Sequence, residues 1–176
     1  MTQPPDAPLA PHLAPNLAPR LARVLLDGEA LTRLSPILEA DRAQAVADLT
    51  VDSRFAPIAT KPGDTSQGPY ELRLSIWEGR LILDVRHLDG SQAMTLGLAL
   101  GPLRKLIKDY QMLVDSHIKA VEEGREARIQ AIDMGRRGLH DEAAALLCNR
   151  LDGKIDIDLP TARRLFTLVC VLHTRA

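Results

Sequence analysis

A surplus of charge of either sign is missing from this chain. Across 176 residues, 22 lysines and arginines meet 23 aspartates and glutamates, for a net charge of −1. A dedicated binder of DNA or polyphosphate shows a strong basic excess, so nucleic acid is not an expected partner. Aromatics are as scarce: Phe55, Tyr70, Trp77, Tyr110 and Phe166 are too scattered to build a base-stacking platform. The two cysteines, Cys148 and Cys170, lack CxxC spacing and sit in apolar helical settings. They imply no disulfide framework and read as small buried hydrophobes. No run of about 18 apolar residues is present, so no membrane span is expected. The N-terminus lacks the basic start and continuous apolar stretch of a signal peptide, which makes a cytoplasmic location the expectation.

Signatures of chemistry are missing too. There is no GxGxxG or P-loop, no HExxH, no carboxylate cluster and no paired-histidine spacing, so neither cofactor nor metal is implied. No GxSxG elbow occurs and no serine has an evident histidine partner, so no catalytic residue is named.

What the chain does contain is a tail and one α+β domain. Residues 1–19 repeat Leu9-Ala-Pro-His, Leu13-Ala-Pro-Asn and Leu17-Ala-Pro-Arg. Proline at every fourth position removes helical amides, so this tail is expected to be extended or disordered, with His12 solvated. Residues 20–176 are expected to form the domain. Leu21 to Leu26 reads as a strand. Ser35-Pro36 opens a helix, with serine as cap and Leu38, Ala45, Val46 and Leu49 on one face. Residues 56–69, rich in proline and glycine, read as a loop.

From Tyr70 the period is two. Tyr70, Leu72, Leu74 and Ile76 alternate with Glu71, Arg73 and Ser75. Glu78-Gly79 and Asp89-Gly90 read as two-residue turns, the second of type I′. These turns pair Ile76 with Leu81, Leu74 with Leu83 and Leu72 with Val85. They then pair Val85 with Met94, Leu83 with Leu96 and Leu81 with Leu98. Leu81, Leu83 and Val85 therefore share one apolar face under both turns. The other face sets Arg73 across from Asp84 and Glu71 across from Arg86. Those four read as solvated salt bridges rather than a paired-carboxylate site.

Beyond the sheet the period is helical. Gly101-Pro102 starts a helix with Leu103, Leu106, Ile107, Tyr110 and Val114 inward. Further helices are read at about Arg125 to Arg137 and His140 to Leu151, with Gly138 supplying a left-handed turn between them. Gly138-Leu-His-Asp-Glu-Ala143 looks like the turn of a tetratricopeptide hairpin, but no copy follows at a period of about 34 residues, so a single helical hairpin is expected. Lys154 to Asp158 alternates like a short strand. Asp158 or Thr161 caps a last helix that is apolar nearly all round from Leu165 to Leu172. The fold class is thus α+β: a three- to four-stranded antiparallel meander packed against about four C-terminal helices, with one helix before the sheet.

Gly68-Pro-Tyr70, Leu106-Ile-Lys-Asp-Tyr110, Ala131-Ile-Asp-Met-Gly-Arg-Arg-Gly-Leu-His140, Leu151-x-Gly-Lys-Ile155, Thr161-Ala-Arg-Arg-Leu-Phe166 and Cys170-Val-Leu-His173 together resemble UPF family 0262. The resemblance covers roughly residues 24–173 and leaves the Leu-Ala-Pro tail outside. It implies a bacterial cytosolic protein and brings no activity or ligand. Where the family pattern usually has an acidic residue, this chain has Pro160.

The sharpest candidate chemistry is an anion site of Arg136, Arg137, His140, Arg163 and Arg164. Arginine forks suit phosphate or carboxylate, and helix N-termini offer free amides. Arg163 and Arg164 are read in the first turn of the last helix, an unfavourable place for cations. Against a ligand, Arg136 and Arg137 are read at a helix C-terminus that favours them. Asp156 and Asp158 are available to Arg163 and Arg164, and Asp133 to Arg136 and Arg137. His117 and His173 read as satisfied near-core histidines, His87 as a strand residue opposite Tyr70, and Met134 as helix packing. Two functions follow. The first is a non-catalytic protein-interaction or regulatory module with an unknown protein partner. The second is a binder, or an enzyme, of a small phosphate- or carboxylate-bearing metabolite held by the Arg/His cluster.

Overall fold

A computed structural model describes residues 19–28, 34–58 and 67–175. Alternation builds its sheet. Tyr70, Leu72 and Leu74 of β3 (Tyr70–Trp77) are buried on one face with Leu81, Leu83 and Val85 of β4 (Arg80–His87). Pairing follows the expected register across β3 and β4, and again between β4 and β5 (Gln92–Ala99) at Leu81–Leu98, Leu83–Leu96 and Val85–Met94.

The two turns reach that register by different routes. Glu78 (φ 48) and Gly79 (φ 73) are both left-handed, as a two-residue type I′ turn requires. At the second turn Gly90 (φ 89) has positive φ and Asp89 does not. The Gly90 amide donates to the His87 carbonyl at 3.0 Å, and the His87 amide to the Ser91 carbonyl at 2.9 Å. This is a three-residue loop, not the expected type I′ turn, and it offsets the ladder by one. The register shifts back between Val85 and Arg86, leaving Ala93 as a bulge. Without that bulge Met94, Leu96 and Leu98 would turn to the other face, so the apolar pattern overrides the turn.

The fourth strand, β1 (Leu21–Leu26), lies where the sequence reading put it. It joins β3 in parallel, giving the order β1-β3-β4-β5. A parallel neighbour needs a crossover, and α1 (Pro36–Val51) lies in that connection, packing on β1. Ser35 stands at the cap position but its hydroxyl makes no capping bond. Part of the expected 56–69 loop is instead a strand, β2 (Phe55–Pro57), antiparallel to β6 (Ile155–Ile157). Burying Phe55, Ile155 and Ile157 together supplies the reason. The remainder of that loop at 59–66, and the tail repeats with His12, lie outside the described residues.

Among the described residues three helices follow the sheet, where about four were expected. A 3-10 turn at Gly101–Leu103 leads into α2 (Arg104–Glu122). Then α3 runs unbroken from Glu126 to Leu151, straight through Gly138. Gly138 is exposed, has no positive φ, and a Cβ there would meet nothing within 4 Å. A helical glycine costs about 1 kcal/mol relative to alanine. That is too little to break a helix that buries Ile132, Ala143, Ala144, Leu147 and Leu151. The helical hairpin turns instead at Gly124 (φ 65), between α2 and α3.

The last helix, α4 (Leu159–Arg175), is capped by Asp158, whose Oδ1 accepts the Thr161 amide at 2.9 Å. Thr161 Oγ1 serves elsewhere, accepting the Arg54 amide at 3.1 Å. Every residue from Leu165 to Leu172 is buried. This helix touches α1, α2 and α3 and reaches β3, so it forms the centre of the core. Cys170 is fully buried and Cys148 half-buried. Met134, expected to pack, is instead 72% exposed.

Candidate functional site

Four helices meet around Tyr110, and the reason is chemical. A buried tyrosine requires an acceptor for its hydroxyl. Tyr110 Oη donates to Asp41 Oδ2 of α1 at 2.7 Å, and Arg136 Nη2 of α3 donates to the same oxygen at 2.7 Å. The Arg136 guanidinium also lies 5.7 Å from the Tyr110 ring centre, a cation–π distance. Burial pushes the phenol's pKa well up, reinforced by the bond to Asp41 and its charge.

One helical turn on, His140 Nδ1 faces the Arg136 carbonyl at 2.8 Å and Nε2 faces Thr167 Oγ1 at 3.0 Å. A carbonyl only accepts, so Nδ1 carries the hydrogen and Nε2 of the neutral ring accepts from the threonine. The imidazole stands edge-on to Tyr110 (5.4 Å) and Phe166 (5.5 Å). Burial lowers its pKa below the ordinary 6.5. The Arg136 carbonyl opposes that shift, the Arg136 charge adds to it, Asp41 opposes and Arg163 adds.

Arg136, Arg137, His140 and Arg163 line one cleft of about 580 Å³ together with Asp133 and Asp141. Arg164 does not join them. Its Nε lies 3.1 Å from Asp48 of α1, and its Nη1 donates to the Pro160 carbonyl at 3.0 Å. The local settings also differ from expectation. Arg136, Arg137 and His140 sit in the middle of α3, not at helix ends. Arg163 and Arg164 are the fifth and sixth residues of α4, past the first turn in which the macrodipole acts.

The counter-charges differ as well. Arg163 Nε donates to Asp141 at 2.7 Å and Arg136 pairs with Asp41, while Asp156 takes Arg54 and Asp158 serves as a cap. Asp133 lies 3.9 Å from His117. Arg137 is exposed and forms no ion pair among the described residues. The cleft is therefore close to charge balance. Asp41 and Tyr110 were not among the sequence candidates. The legible signal was a tyrosine on the buried stripe of α2, though its partner lies 69 residues away. His173 departs from the satisfied state expected of it, since its Nδ1 is shielded and meets no partner among the described residues. No group of His, Cys, Asp and Glu among the described residues could hold a metal ion. No helix among them is long and apolar enough to cross a membrane.

A second feature lies on the sheet face opposite the buried row. Glu71 Oε1 accepts from Arg73 Nε at 2.7 Å and its Oε2 from Arg23 Nη1 at 3.0 Å, while Asp84 accepts from Arg86 at 3.0 Å. The ion pairs within β3 and β4 thus run along each strand, although the cross-strand register is the expected one. Glu71 is buried, not solvated, because two arginines cover it, and Arg73 foremost holds its carboxyl below the usual range. Arg80 crosses Gly97 and donates to its carbonyl at 3.2 Å. Leu25, Arg73, Ile82 and Thr95, one from each strand, help line a cleft of about 860 Å³ on this face. Leu25 is 38% and Trp77 69% exposed.

These features define an α+β protein with a charge-balanced interhelical cleft and, among the described residues, a second cleft on the outer sheet face. The chain belongs to the Uncharacterised protein family (UPF0262), whose model matches residues 18–175. It is 65% identical over 156 residues to the UPF0262 protein of Granulibacter bethesdensis, covering 87% of this chain and 89% of the relative. It is 57% identical over 154 residues to that of Acidiphilium cryptum, covering 88% and 92%. With that of Mesorhizobium japonicum the identity is 48% over 147 residues, covering 84% and 89%. No solved structure matches the chain.

Proposed function

We propose that this protein is a cytoplasmic, non-catalytic protein-interaction or regulatory module that docks a protein partner on the open face of its four-stranded sheet. The observation that carries the reading is the makeup of that face: partly exposed Leu25, largely exposed Trp77 and an 860 Å³ cleft walled by all four strands. An aliphatic floor of Leu25 and Ile82 within a polar rim that balances Arg73 and Arg86 against Asp27 and Asp84 is the anatomy of a docking surface. The test is reconstitution. A protein captured with wild-type bait is purified and titrated against the chain. Stoichiometric binding that survives Arg137→Ala and is lost in Ile82→Glu supports the reading; binding indifferent to Ile82→Glu defeats it.

A second reading, a binder or enzyme of a small phosphate- or carboxylate-bearing metabolite, draws on the meeting of Arg136, Arg137, His140 and Arg163 in one cleft. The pairing of Arg136 and Arg163 with Asp41 and Asp141 speaks for structural ion pairs there. Thermal unfolding with phosphate, sulfate, sugar phosphates and carboxylates separates the readings. The docking reading expects no selective shift. A ligand at about a hundred times its Kd would add about 2.7 kcal/mol, and a shift of that size lost in Arg137→Ala would favour the metabolite.

A further inference from the structure

The outer strand β5 joins one of its glycines to an arginine of β4. Along Gln92–Ala99 it has neither a charged residue nor a proline, and β4 is its one strand neighbour among the described residues. Gly97 interrupts this run without a positive φ, so the backbone does not call for glycine there. Arg80 of β4 supplies the reason. A Cβ at Gly97 would stand 3.2 Å from Arg80 Nε, so the missing side chain is what lets Arg80 lie flat over the strand.

The ladder fixes which groups of β5 face outward. The Leu100 amide donates to the Gly79 carbonyl at 3.1 Å, and opposed residues in an antiparallel ladder alternate between bonded and unbonded pairs. Leu98, Leu96 and Met94 therefore bond to Leu81, Leu83 and Val85 of β4, and Thr95, Gly97 and Ala99 turn their N–H and C=O groups to the outer edge. Arg80 Nη2 donates to the central one of these carbonyls, that of Gly97, at 3.2 Å. Natural sheets protect an edge with cations, prolines or bulges. Here the Ala93 bulge interrupts the start of β5 and Arg80 covers its middle.

We infer that the β5 edge is a self-pairing surface for a second copy of this chain, held shut by Arg80. A second copy fits it by symmetry. A two-fold axis through Gly97 sets Thr95 against Ala99 of the other copy and Leu96 against its Leu98, so the outward amides and carbonyls of both strands are satisfied together. The apolar rows stay on one side of the joined sheet, and no charge of β5 meets its like. The obstacle is Arg80. With the two glycines about 5.5 Å apart, the two guanidinia would lie side by side and repel. Removing Arg80 frees the Gly97 carbonyl and abolishes that repulsion. The inference is independent of the docking reading, which concerns the face of the sheet and not its edge.

Sedimentation velocity of the full chain over a range of concentrations tests it. Arg80→Ala is expected to dimerise at least tenfold more tightly than the wild type. Gly97→Ala, which pushes Arg80 off the strand from the other side of the contact, is expected to tighten association several-fold. Thr95→Pro removes an outward amide and no bond to β4, so adding it to Arg80→Ala should return association to the wild-type level. Thermal unfolding of each variant checks that the fold is kept, and displacing Arg80 in two ways protects the test against loss of either variant. Equal association of wild type, Arg80→Ala and Gly97→Ala would overturn the role of Arg80. A dimer of Arg80→Ala that withstands Thr95→Pro would overturn the β5 edge as its seat. Species larger than a dimer would overturn the two-fold pairing.

Discussion

At the scale of single residues, the Asp41 carboxylate is the pin between helices. Tyr110→Phe removes the hydroxyl bond to Asp41 but leaves the Arg136 pair. A hydrogen bond to a charged acceptor contributes about 1.5–3 kcal/mol, so the variant is expected to melt about 3–10 °C lower, read by thermal unfolding. The same residue sets a pH dependence. The Tyr110 pKa is raised from 10.0 in the fold, so above pH 10 the unfolded chain loses a proton that the native chain keeps. Its contribution is present below pH 10 and is lost as pH rises further. Urea unfolding between pH 9 and 11 should show this decline in the wild type and a shallower one in Tyr110→Phe.

His140 works at the acid end. Its pKa is lowered from 6.5, so below 6.5 the unfolded chain takes up a proton first and stability falls. His140→Gln should flatten that acid limb, and an unchanged limb would contradict the buried neutral imidazole. Sequence periodicity placed Tyr110 on a buried stripe and flagged Arg136 and His140. It carried no information on Asp41, because an aspartate on the polar side of α1 looks solvated until another helix packs over it.

At the scale of elements, the sheet and α3 teach opposite lessons. The strand register was legible because period-two alternation over eight residues leaves one arrangement with all the apolar groups inward. The second turn was misread, yet the pairing of Leu81, Leu83 and Val85 was unaffected. Turn chemistry is weaker than burial, and Ala93 absorbs the offset. The break at Gly138 was misread for the converse reason: a Gly between two arginines and a histidine resembles a C-terminal stop, while the burial that carries α3 through lies beyond it at Ala143, Ala144 and Leu147. This makes a sharp prediction. Gly138→Ala adds a Cβ into open space within a helix, so it should stabilise by about 0.5–1 kcal/mol, seen as a higher urea midpoint. A left-handed turn at that position would make the same substitution destabilising.

At the scale of the whole molecule, the fold class was legible and the adjacency of elements was not. Nothing in Leu21–Leu26 alone says that β1 will run parallel to β3, since either direction buries Leu21, Val24 and Leu26. Convergence of the cations was equally a tertiary matter. Arg163 and Arg164 are sequence neighbours about 100° apart on α4. One faces Asp141 of α3 in the cleft and the other faces Asp48 of α1. Among the described residues the helices pack on one side of the sheet, and that asymmetry is the basis of the docking we propose.

The most direct test of that account is methyl NMR of the full chain during titration with the purified partner. Shifts of the Ile82 δ1 and Leu25 methyls, with Leu168 and Val171 of the α4 core unmoved, are the predicted result. Shifts confined to methyls of α3 and α4, with Leu25 and Ile82 unchanged, would contradict it and return the interhelical cleft to first place.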